Sequence, residues 1–106
     1  MASGILGQSA LSATTNTTVY TVPSSTLGIV NISIVNKSTS ANAAVRLALA
    51  AGATPTSAEW IEYDTIVPPR GVIERTAIAL NAAKRVVVYA STADVSVSVY
   101  GIESAA

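Results

Sequence analysis

Val95-Ser96-Val97-Ser98-Val99-Tyr100 is written as a β-strand. Apolar and polar side chains alternate there with period two, and successive residues of a β-strand point to opposite faces of a sheet. The same texture appears upstream. Between Leu27 and Asn36, Val30, Ile32 and Ile34 alternate with Asn31 and Ser33. Between Ala43 and Ala50, Val45, Leu47 and Leu49 alternate with Arg46 and Ala48. That last segment is rich in Ala, the best helix former. Its apolar residues nevertheless fall at i, i+2 and i+4, which fits one face of a strand and scatters around a helix.

Regular turn signals divide the rest of the chain. Thr17 to Val22 reads as a strand closed by Pro23, which cannot donate to a ladder. Polar turns follow at Lys37 to Asn42, and a loop containing Pro55 runs from Gly52 to Ser57. Glu59 to Ile66 is a strand that sets Trp60, Glu62 and Asp64 opposite Ile61, Tyr63 and Thr65. Pro68-Pro69-Arg70-Gly71 is a strong turn, with proline preset for the bend and glycine free to take positive φ. Val72 to Leu80 is a strand with no clear face assignment, and Arg85 to Ser91 is the most β-branched run. About seven or eight short strands, spaced by about 8–15 residues, predict an all-β antiparallel sandwich. Jelly-roll and immunoglobulin-like strand orders both fit this pattern.

Residues 1–16 read differently, as an extended N-terminal arm ahead of a β-sandwich domain at 17–106. They are mostly Ser, Thr, Ala and Gly, with isolated Ile5, Leu6 and Leu11. Such a tail frays unless something holds it. Two adjacent large aliphatics suggest docking on a neighbouring subunit.

Composition restricts the chemistry. The 106 residues include no His and no Cys, with six acidic and six basic side chains and a formal net charge of zero. One domain of this size buries a usable core. Neutral charge gives no pull towards nucleic acid or an anionic membrane, and no run approaches the ~20 apolar residues of a membrane span. Without Cys there is neither a disulfide framework nor a thiolate metal site. The start of the chain lacks the basic and apolar regions of a signal peptide, so synthesis and retention in a cytoplasm are expected.

Candidate chemistry is sparse. Glu62 and Asp64, with Glu59 nearby, could share a strand face about 6–7 Å apart, as in a glycosidase pair or half of a Ca²⁺ site. An ordinary solvated face paired with Arg46, Arg70 or Arg75 fits better, because a Ca²⁺ loop needs dense Asp, Asn and Gly at fixed offsets. Ser and Thr total 25 residues, but a nucleophilic hydroxyl needs a base, and only Lys37 or Lys84 is on offer. Both lie in turns, so no catalytic residue and no cofactor are expected. Asn16-Thr17-Thr18, Asn31-Ile32-Ser33 and Asn36-Lys37-Ser38 match the glycosylation triplet, as chance produces in a Ser/Thr-rich chain. Trp60 is either a half-buried anchor or a contact residue, and Arg70 is held in a rigid exposed turn.

Several stretches carry a resemblance: Ile5-Leu6-Gly7-Gln8, Thr18-Val19-Tyr20-Thr21-Val22-Pro23 and Val30-Asn31-Ile32-Ser33-Ile34-Val35-Asn36. Ile61-Glu62-Tyr63-Asp64, Val86-Val87-Val88-Tyr89-Ala90-Ser91 and Val99-Tyr100-Gly101-Ile102 extend it over nearly the whole chain. These resemble small virion proteins of tailed bacteriophages, including cyanophages, in strand texture and not in catalytic signature. The resemblance implies a structural protein of the particle, foremost a capsid decoration (cement) protein on the head exterior. It implies a major capsid protein as partner, and self-association as a homotrimer or dimer. Ile5, Leu6, Leu11, Trp60 and Arg70 are then the expected contact residues. A tail, baseplate or fibre component is the rival, as is an adhesin binding a host glycan through Trp60 and Tyr63.

Overall fold

The structure, a computed structural model, describes residues 2–106; Met1, the first residue of the expected arm, lies outside them. Eight strands form: β1 (Ser3–Ala10), β2 (Thr17–Thr21), β3 (Thr26–Asn36), β4 (Ala43–Ala50), β5 (Trp60–Val67), β6 (Val72–Leu80), β7 (Arg85–Ala90) and β8 (Val95–Ala105). They make two four-stranded antiparallel sheets, ordered β1-β8-β3-β6 and β2-β7-β4-β5. A single 3-10 turn, Ser57–Glu59, interrupts the strands among the described residues.

The pairing is nested. β1 pairs with β8, β2 with β7, β3 with β6 and β4 with β5. This is one long hairpin rolled up on itself, and the extra pairings β3–β8 and β4–β7 close each sheet. The order is that of a jelly roll, which separates it from the immunoglobulin-like alternative.

The inward positions read from the sequence hold. Val30, Ile32, Ile34, Val45, Leu47, Val95, Val97 and Val99 are buried, together with Val22, Val67, Val86 and Val88. Short branched side chains in place of Phe keep the two sheets close, and the molecule is 19 Å across its thinnest axis. Burial at roughly 25 cal/mol per Å² of apolar surface is the main stabilising term.

The expected arm is not an arm. Ser3–Ala10 is the edge strand of the first sheet, in register with β8 from Ser3↔Ile102 to Ala10↔Ser96. Its ends are tied down: the Glu103 N–H donates to the Ala2 carbonyl at 2.8 Å, and the Leu11 N–H to the Val95 carbonyl at 2.9 Å. Gly7 allows the close approach to β2, since a Cβ there would stand 2.2 Å from the Val19 carbonyl oxygen. The small residues that resemble a frayed tail let this strand lie against its neighbour.

Regularity is confined to the middle of each sheet. β3 and β8 pair without a break from Thr26↔Ala105 to Asn36↔Val95, and β4 and β7 from Val45↔Ala90 to Ala50↔Arg85. All four edge strands carry surplus residues that their partners lack: Leu6 in β1, Val19 in β2, one of Thr76 and Ala77 in β6, and two positions in β5. These bulges twist the free edges away from further strand pairing.

Candidate functional site

The outer face of the β2-β7-β4-β5 sheet carries the densest side-chain chemistry. Arg46 projects outward from β4, with Tyr89 as its cross-strand partner on β7. On β5 a bulge sets two residues, Tyr63 and Asp64, opposite Arg46, and Asp64 takes φ 52°. The guanidinium lies over both tyrosine rings, 4.2 Å from the Tyr63 centroid and 4.5 Å from that of Tyr89. It donates to Asp64 through Nε at 2.6 Å and Nη2 at 3.3 Å. That hydrogen bond, before any other influence, raises the guanidinium pKa and holds its charge. Trp60 meets Tyr63 edge-on with centroids 5.4 Å apart and packs on Ala48, Ala50 and Val87.

This geometry separates the two carboxylates expected to share a face. Asp64 pairs with Arg46, whereas Glu62 turns towards the other sheet and accepts from Arg75 Nη1 at 2.5 Å and Thr65 Oγ1 at 2.7 Å. The bulges in β5 shift the strand's phase between the two residues, so neither a glycosidase pair nor a shared cation site results. Glu59 serves the loop between β4 and β5, which it closes by accepting from the Thr56 and Ala51 N–H groups at 2.8 and 2.9 Å. Those two bonds hold its pKa below the usual carboxylate range. Among the described residues, no group of three or more acidic side chains is placed to hold a metal ion.

The other expected residues fall in varied places. Lys37 is exposed in its turn, and Arg70 is exposed at φ 61°, with its N–H donating to the Ser38 carbonyl. Asn36 is fully buried; its amide donates to the carbonyls of Ala41 at 2.9 Å and Val67 at 3.0 Å, which binds two turns to the end of β3. Of the three aliphatics assigned to an arm, Leu11 is buried at 3% exposure and Leu6 packs half-buried on the core. Neither is available to grip a partner. Ile5 alone is presented outward, at 61% exposure.

Ile5 belongs to a surface that no single segment of sequence displays. On the outer face of the β1-β8-β3-β6 sheet, Ile102 stands opposite Ile29 on β3, and Ile5 stands opposite Tyr100 on β8. Ile29 and Ile102 are 39% and 53% exposed. Alternation in β3 and β8 marks Ile29, Tyr100 and Ile102 as outward positions, Ile5 carries no such mark, and only the strand order makes them neighbours. At the other end of the face the character is polar: the Gln8 amide donates to Ser98 Oγ at 3.2 Å, beside an open recess lined by Gln8, Ser96 and Ser98.

No family model, curated protein sequence or solved structure matches the chain.

Proposed function

We propose that this chain is a structural protein of a tailed-phage particle, and that it acts as a capsid decoration protein bound to the major capsid protein. The observation that supports this most is where the chain spends its residues. The interior is filled with short aliphatics, the sheet edges are bulged, and two broad faces remain for contact. The sequence texture resembles phage virion proteins, and jelly rolls recur in viral capsid domains, a likeness of fold and not of site. Each bound copy stabilises only the assembled shell, by mass action.

The glycan-adhesin reading draws on Trp60 and Tyr63. Trp60 is half-buried and meets Tyr63 edge-on, and Arg46 lies over the Tyr63 ring. Tyr63 itself is 57% exposed, so a sugar would find a single partly covered ring, which supports a packing role over a stacking platform. The test is cosedimentation of the purified protein with heads of its own phage that lack it. Saturable binding with raised heat resistance of the heads is expected. Heads that take up no protein, alongside glycan binding lost in Trp60→Ala, would overturn the proposal in favour of the adhesin.

A further inference from the structure

The first charged residue of the chain is Lys37, so the preceding 36 positions contain none of its twelve charges. Those positions supply β1, β2 and β3. As a result the outer face of the β1-β8-β3-β6 sheet is almost without charge. Among the described residues, Glu74 is the one charged side chain at an outward position of this sheet, and it accepts a hydrogen bond from the Tyr100 hydroxyl at 3.3 Å. The opposite sheet carries Arg46, Asp64 and Arg85 outward.

We propose that this uncharged face is a self-association surface, on which two copies of the chain stack about a two-fold axis near Ile102. A two-fold interface brings each residue near the axis against its own copy, so charges there would meet like charges. A neutral face carrying Ile5, Ile29 and Ile102 meets that requirement, and the opposite face does not. Growth through the sheet edges is opposed by their bulges, which leaves the face as the route for joining copies.

The available area is sufficient. Four strands of 8, 11, 11 and 9 residues form the sheet. At ~4.8 Å between strands and ~3.3 Å per residue the face covers roughly 500–700 Å². Two copies then bury about 1,000–1,400 Å², which reaches the ~1,200 Å² of small stable interfaces. The inference deepens the structural reading and rests on it for its place in the particle; its test uses the free protein alone.

The test is sedimentation equilibrium of the full chain at about 100 μM, above the micromolar Kd at the weak end for such an area. The wild type is expected as a dimer. Ile102→Glu and Ile102→Lys, both at an exposed position, should each keep the melting curve that the wild type shows when diluted well below its dimer Kd, and raise that Kd at least about 100-fold. Mixing the two variants should restore a dimer, because unlike charges then face each other across the axis. A monomeric wild type overturns the inference, and so does a folded Ile102→Glu that stays dimeric. A monomeric wild type whose Ile102→Glu variant loses head binding assigns the face to the capsid and leaves the decoration reading standing.

Discussion

Replacing Leu11 by Ala distinguishes a strand-bearing N-terminus from a loose arm. Leu11 is 3% exposed within the apolar cluster that includes Val95, Val97 and Tyr20, and its N–H is bonded to Val95. Truncation removes three buried carbons and leaves a cavity, a combination that costs about 2–5 kcal/mol in packed interiors. The position lies just past an edge strand, where the surroundings can partly collapse, so ~3 kcal/mol is expected. For a domain of this size that corresponds to a fall in Tm of roughly 10–20 °C. Ile5→Ala is the control, because an exposed side chain of the same segment should change stability by less than about 0.5 kcal/mol. Urea unfolding followed by Trp60 fluorescence measures both. A Leu11→Ala midpoint within error of the wild type would show that the segment does not dock, and the assignment of β1 and its anchor would fail.

Three further outcomes follow from buried and half-buried polar contacts. Asn36→Ala should cost about 2–4 kcal/mol, because the Ala41 and Val67 carbonyls lose their buried donor, and hydrogen exchange should rise in both adjoining turns. The Tyr20 hydroxyl donates to Glu103, and this bond, with that from the Ala2 N–H, holds the Glu103 pKa below its ordinary value. A carboxylate depressed in the folded state contributes stability above its unfolded pKa and loses it as pH falls through the folded pKa. Glu103→Gln should therefore flatten the acid limb of urea midpoint against pH; an unchanged limb would remove Glu103 as its source. Tyr20 is raised above its ordinary value, first by burial and then by this hydrogen bond, so the wild type should also lose stability as pH climbs past about 10.

Most strands were legible because one face of each meets the core, and a half-buried strand announces itself by alternation. β3 and β8 are the clearest cases, and they form the unbroken pair at the centre of one sheet. Legibility failed wherever a surplus residue shifts the phase. The two-for-one stretch at Thr76 and Ala77, with Ala77 at φ 56°, explains why β6 showed no consistent face. Leu6 does the same in β1, so Ile5 and Leu6 look like a random apolar pair when one faces out and the other in. The cluster about Arg46 was hidden for another reason. Tyr63, Asp64 and Tyr89 reach it only through pairings between distant segments, and no local pattern encodes those. The same holds for Ile5, Ile29 and Ile102: the outward positions of Ile29 and Ile102 follow from alternation within their strands, whereas that of Ile5 and the adjacency of all three do not.

Imaging particles of the proposed phage with this protein labelled is the decisive check on the proposal that the jelly roll is a component of the head. Regularly repeated label over the outer surface of the head is the expected result. Label confined to the tail, or particles carrying none of the protein, would contradict it.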